Sequence, residues 1–353
     1  MAFFHCGSEE CAKSELDLFQ IAPTQTSIEK SIYIEVPLLL AITEASHLSF
    51  FIAENGIDYM DLNNTLLYLC CKIVKGDGIA LARDAVVGLV NYPMASIFSQ
   101  LDVMLGDRFI SQSNDCYPYR AFIEAMLNYS VDTLATQFSA GLFFKDTPGQ
   151  HKDTALDSKN LGFVRRPNLT AQSRIIELLG HLHSDLFFQE KLLLNGVHVK
   201  IKLTRSKDAF CLMGNGAEGY NLRIVSAFLF VKKVRLAPGI RLGHTEALLI
   251  ANAKYPVDCM GMEVISIPAG SRVSNHENLF LGQLPKMLVL GFVDNDAFSG
   301  SYAKNPLHFK HYDINFVALY VGGEQIPTKP LQPDFEAGCC MREYMNLGQT
   351  VNT

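Results

Sequence analysis

The residues with the most chemical promise lie in HLHSD, where His181, His183 and Asp185 occupy alternate positions. On a β-strand successive side chains point to opposite faces, so all three would share one face. Two imidazoles and a carboxylate so placed can hold iron or a similar metal. The rest of a metal-binding pattern does not follow. Glu190 stands seven residues past His183, and APGIRLGH has the wrong spacing for a later PxGxxH segment. Two polar, outward-facing histidines are the competing expectation, so no metal or other cofactor is assigned.

A second candidate is VDNDAFSGSYAKNP at 293–306, with two aspartates in a Gly/Ser-rich loop. An EF-hand loop needs oxygen donors at its first, third and fifth positions, glycine at the sixth and glutamate at the twelfth. Counting from Asp294, those last three positions hold Phe298, Ser299 and Asn305, so the calcium pattern fails. Asp and Asn here are expected to form side-chain-to-backbone turns, with Gly300 supplying a permissive backbone. GNGAEG at 214–219 fits GxGxxG but leads into the strand-like YNLRIVSAFLFV rather than a helix whose amino end would receive a pyrophosphate. It reads as a linker. Neither a GxSxG elbow nor a GxxxxGK[ST] phosphate loop occurs, and no Cys and His spacing nominates a nucleophile with its base. No catalytic residue is assigned.

The elements that would position these residues are mostly strands. Two-residue turns between apolar runs mark β-hairpins, because such turns match the twist of paired strands. They fall at Gly106-Asp107, Asn195-Gly196 and Gly322-Gly323. After Asn195-Gly196, Val199, Ile201 and Leu203 are expected inward, with His198, Lys200 and Lys202 outward. Further strand-like runs are SIYIEVPLLL, SFFIAE, NTLLYLCCKIVK, IVSAFLFVKKVRL, MEVISIP and KMLVLGFV. Helices are few. PYRAFIEAMLNYS is the best, with Pro118 near its start and Phe122/Met126 and Ile123/Leu127 at four-residue spacing, while SRIIELLGHLHSDLFF fits helix or strand.

At 353 residues the chain can hold two domains or one large β domain. A net charge of -6 argues against a broad cationic face for nucleic acid. The short basic runs Arg165-Arg166 and Lys232 to Arg235 read as solvated faces. Nine cysteines, with vicinal pairs but no CxxC, read as free thiols in a reducing compartment. The opening residues do not have the form of a signal peptide, so an intracellular, unsecreted protein is expected.

A weak internal repeat organises the chain. LDVMLGDRFIS at 101–111 aligns with VALYVGGEQIP at 317–327, and each is followed by Arg-x-aromatic-apolar, RAFI at 120 and REYM at 342. Two copies of one β unit are expected, joined at 214–219. The second copy has little chain after it, so its edge is expected to be unfinished or covered by another subunit.

Several stretches together resemble the double jelly-roll major capsid protein of Polinton (Maverick) elements and adintoviruses, a relative of the adenovirus hexon. They are SELDLFQIAPTQTSIE, YMDLNNTLLYL, SQSNDCYPYRAFIEAMLNY, HLHSDLFFQEKLLLNGVHVKIKL and GQLPKMLVLGFVDNDAFSGSYAKNPLHF. The resemblance implies an all-β chain of two tandem jelly rolls with few short helices, packing as trimers into an icosahedral shell. It implies no catalytic residues, and further strands after the REYMNLGQT region. The expected division is an arm at 1–29, a first jelly roll at 30–213, the linker at 214–219 and a truncated second jelly roll at 220–353. Expected partners are copies of the chain and other capsid proteins such as a penton, without specific nucleic-acid binding; membrane contact is left open. The expected place is the virion, after synthesis in the host cytoplasm and with nuclear assembly as one route. Phe298, Gly300 and Tyr302 are expected at a contact with a neighbouring subunit, or else packed on their own barrel. The alternative function is a cupin-like metalloenzyme using His181, His183 and Asp185, and a third is a host-resident copy that no longer builds particles.

Overall fold

The computed structural model describes residues 25–42, 47–54, 56–83, 85–112, 114–155, 157–214, 219–279 and 284–349. Most of the expected arm, and Asn215 to Glu218 of the expected linker, lie outside them. The described strands are β1 (Ile28–Pro37), β2 (His47–Ile52), β3 (Tyr59–Lys75), β4 (Val87–Leu89), β5 (Phe98–Leu105), β6 (Arg108–Gln112), β7 (Ile176–His181), β8 (Val199–Arg205), β9 (Leu212–Gly214), β10 (Tyr220–Leu236), β11 (Val317–Val321) and β12 (Glu324–Leu331). The helices are short, and the chain is of the all-β class that its patterning indicates.

Two four-stranded antiparallel sheets form the first unit, in the orders β1-β10-β3-β7 and β2-β8-β5-β6. Omitting the small β4-β9 pair, the first of eight strands lies beside the last, and the chain crosses repeatedly between the sheets. That is the order of a jelly roll. Alternation decides which side chains fill it. In β8, Val199, Ile201 and Leu203 are buried while Lys202 is exposed, as expected from the sequence. They meet Phe50, Leu69, Ile73, Val103, Leu229 and Val231 in one continuous core. Burying each such side chain contributes about 1.5–3 kcal/mol.

The boundary expected at 214–219 is not a boundary between barrels. β10 lies between β1 and β3, so the first unit closes only at Leu236. A strand hydrogen-bonded on both sides cannot belong to another domain. Gly214 is needed for a close approach, since a Cβ there would sit 2.1 Å from the Val86 carbonyl oxygen. The Asn195-Gly196 turn forms, but not as a hairpin: Leu193 bridges Met60, whereas β8 pairs with β2 and β5. The other two expected hairpins are present as β5-β6 and β11-β12.

Past Leu236 the structure departs further from expectation. MEVISIP and KMLVLGFV are not strands; Val264, Ile265, Ile267, Met287, Leu288 and Leu290 are exposed on irregular chain. β-branched side chains favour extended backbone, but a strand also needs a neighbour for its N–H and C=O groups. The helix Pro238–Ile250, unforeseen in the sequence, buries none of its residues. It touches the first unit through Tyr59 Oη and His244 Nδ1, 3.0 Å apart.

Candidate functional site

The HLHSD side chains do not converge. β7 ends at His181, which is exposed, and the chain then turns inward so that His183 and Asp185 are buried. Alternate positions share a face only while the strand lasts, and here it stops after the first of the three. Both imidazole nitrogens of His183 are engaged, Nε2 with Tyr92 Oη at 2.7 Å and Nδ1 with Glu124 Oε2 at 2.9 Å. Its backbone N–H donates to Tyr117 Oη at 3.2 Å. Burial first, and neighbouring groups next, push the Tyr92 hydroxyl well above its ordinary pKa, so it stays protonated. With that hydroxyl as donor, Nε2 accepts from Tyr92 and Nδ1–H donates to Glu124.

Glu124 sits on the helix Tyr117–Asn128, one turn past Arg120, so the pair faces one way. Arg120 is 2% exposed and donates from Nε to Glu124 at 3.1 Å, from Nη2 to Asp185 and from Nη1 to Ser111 Oγ at 3.4 Å. Burial opposes the guanidinium charge, but Glu124 and Asp185 outweigh it and raise its pKa above the ordinary value. Asp185 also accepts the N–H of Met260 at 3.2 Å, tying the later segment to the first unit. This arrangement is a buried clamp that engages both ring nitrogens of His183 and one carboxylate oxygen of Asp185. Such a network resists disassembly because removing one charge strands its partner.

A second buried clamp escaped the sequence reading. Arg166, expected on a solvated face, is fully buried and donates to the carbonyls of Leu89 at 2.8 Å and Phe144 at 2.7 Å and to Asp146 at 2.7 Å. The other oxygen of Asp146 accepts Asn305 Nδ2 at 2.9 Å. Arg166 lies in the helix Leu161–Thr170, but the carbonyls it binds come from segments outside that helix, so the local sequence gives no hint of the clamp. Lys232 pairs with Asp61 at 3.0 Å and is partly covered, while Arg235 pairs with Asp58 at 2.8 Å and keeps much of its side chain in solvent, as expected of it.

The 293–310 segment lies along this face as a seam. Asp294 caps the short helix Asn295–Ser299, accepting from the Asp296 N–H at 3.1 Å, and also accepts from Lys304 at 2.9 Å and Lys310 at 3.1 Å. Lys304 above all, then Lys310, holds its carboxyl well below the usual carboxylate range. Phe298 stacks on Tyr119 with centroids 5.7 Å apart, and Phe309 meets the same ring edge-on at 6.2 Å. Tyr302 donates to the Tyr220 carbonyl at 2.9 Å and accepts the Gly214 N–H on its own carbonyl at 2.9 Å. Gly300, at φ +102°, passes where a Cβ would lie 3.3 Å from the Phe210 nitrogen. Phe298, Gly300 and Tyr302 thus make contacts with their own barrel, and each stays partly exposed.

What this chain presents outward is different. Phe316, Tyr320, Ile326, Met341, Tyr344 and Met345 are each at least half exposed on β11-β12, its approach and the helix Met341–Gln349.

Comparisons with known proteins are sparse in sequence. No protein-family profile matches the chain. It is 23% identical over 339 residues to Uncharacterized protein F54H12.2 of Caenorhabditis elegans, an alignment covering 93% of this chain and 78% of that one. Among solved structures it is similar to the Sputnik virophage structure, with 11% identity, TM-score 0.46, 65% of this chain and 53% of that chain covered. It is similar also to the Faustovirus major capsid protein, with 7% identity, TM-score 0.38 and coverage of 65% and 58%. The mavirus major capsid protein follows with 11% identity, TM-score 0.35 and coverage of 67% and 54%. The chain spans little more than half the length of these solved structures.

Proposed function

We propose that this chain is a capsid subunit that works by packing, with no catalytic role, and that it forms trimeric capsomers of an icosahedral shell. The carrying observation is the eight-strand jelly-roll order completed between Ile28 and Leu236, followed by a second hairpin and helix with a bare apolar surface. In this reading a second jelly-roll unit begins after Leu236 rather than at 220, and neighbouring subunits cover its apolar face. Obligate interfaces of this kind bury about 2,000 Å² or more. The sequence resemblance to Polinton and adintovirus capsid proteins supports the same reading, with virion location and other capsid proteins as partners.

Light scattering coupled to size-exclusion chromatography, with electron microscopy of the eluted peak, tests the proposal. A discrete trimer with a three-lobed or pseudo-hexagonal outline is expected. A monomer at every concentration, or stoichiometric iron or manganese lost on His183→Ala, would overturn it.

A further inference from the structure

His151 and His308 stack face to face where the 293–310 seam meets the loop at 149–153. Their ring centroids are 4.1 Å apart and the planes differ by 7°. One ring belongs to the first unit and the other to the later segment, between Leu307 and Phe309, which both pack into the aromatic cluster around Tyr119. Two parallel imidazoles at this separation attract while neutral and repel once both are charged. Nδ1 of His151 is buried without a hydrogen-bond partner, so a proton there would gain no acceptor. Protons nevertheless have access, because both rings line an open cleft of about 490 Å³ with Gly149, Gln150, Lys152 and Asp153.

We propose that this histidine pair is a pH-sensitive latch, holding the 293–310 seam on the first unit at neutral pH and releasing it in acid. The surrounding charges favour the neutral pair on balance. Lys152 on the loop and Lys310 on the seam both disfavour a charge on His308. Asp146 is the opposing group for both rings, but it is already bonded to Arg166 and Asn305. Asp153 accepts the Ala155 N–H on one carboxylate oxygen and the Lys159 N–H on the other, each at 3.2 Å, and such bonds hold its carboxyl below the usual range. Burial first, and the His151 ring next, push His308 down to about 4, and burial lowers His151 against the pull of Asp146. A base whose folded-state pKa lies below its unfolded value of 6.5 supports the docked form above that pH. The support is lost as pH falls from there toward about 4.

Hydrogen exchange across 293–310, corrected for intrinsic rates, tests the latch between about pH 7 and pH 4.5, where unfolded histidine gains its proton. In the unaltered chain, exchange is expected to rise about tenfold or more as the pH falls, since one pKa unit of differential protonation equals a factor of ten. His151→Phe and His308→Phe keep an aromatic stack without a titrating nitrogen and should reduce that rise to about twofold or less. A flat profile in the unaltered chain, or an undiminished rise in both variants, would overturn the latch. Should either variant lose protection already at neutral pH, NMR titration of the unaltered ring signals decides. Both histidines titrating at or above about 6.5 would overturn the proposal, and either one well below it would support it.

Discussion

Hairpin β5-β6 with its helix Tyr117–Asn128 and hairpin β11-β12 with its helix Met341–Gln349 arise from the same local signals and end in opposite environments. Each has a two-residue turn between apolar runs and an arginine near the start of the helix that follows. In the first, β5 pairs on its other side with β8, and Arg120 is sealed between Glu124 and Asp185. In the second, β11 and β12 pair only with each other among the described residues, and the exposed Arg342 reaches the carbonyls of Pro330 at 2.9 Å and Lys329 at 2.6 Å. Turn chemistry is a property of a few neighbouring residues. Burial depends on which distant strands arrive to cover them.

Replacing the two arginines tests this contrast most severely. Arg120→Ala leaves Glu124 and Asp185 buried without their cation and is expected to cost about 3–5 kcal/mol in urea unfolding followed by circular dichroism. Arg342→Ala should cost within about 0.5 kcal/mol, because its bonds are made in water. Equal losses would break the comparison.

A smaller effect sharpens it at the seam, where part of the later region does find cover. Phe298→Ala removes the stack on Tyr119 from a half-buried position, with an expected loss of about 1–2 kcal/mol and faster proteolysis within 293–310. Unchanged proteolysis would mean that the aromatic does not hold the seam.

The smallest effect concerns Asp294. Its folded-state carboxyl pKa lies below the ordinary 3.8, so its contribution is present above that pH and is lost as pH falls further. Asp294→Asn should therefore lower stability modestly at neutral pH and flatten the acid limb of the stability profile below about pH 4. An acid limb as steep as that of the unaltered chain would remove Asp294 from the account.

Much of the first unit was legible because strand patterning repeats every two residues. β8 shows this, as does the clean β5-β6 turn. The break at 214–219 was misplaced because a glycine-rich stretch looks alike between domains and between two strands of one sandwich. The metal reading of HLHSD failed for a related reason: alternation carries meaning only inside a strand, and nothing local announces that β7 stops at His181. Arg166 was read as solvated because charge usually implies water, and its carbonyl partners lie on segments far away in sequence.

By itself, the amino-acid sequence determined where the extended segments and tight turns of the first unit form, which face of β8 turns inward, and that the hairpin pattern occurs twice. Those features depend on backbone sterics and side-chain alternation over a few residues. Only the tertiary structure decided that β10 closes the first sheet, that His183 serves a clamp, and that Phe298 meets Tyr119 and Tyr302 the Tyr220 carbonyl. Each of these depends on a partner group dozens or hundreds of residues away, and no local pattern encodes which partner will come within hydrogen-bonding or packing distance.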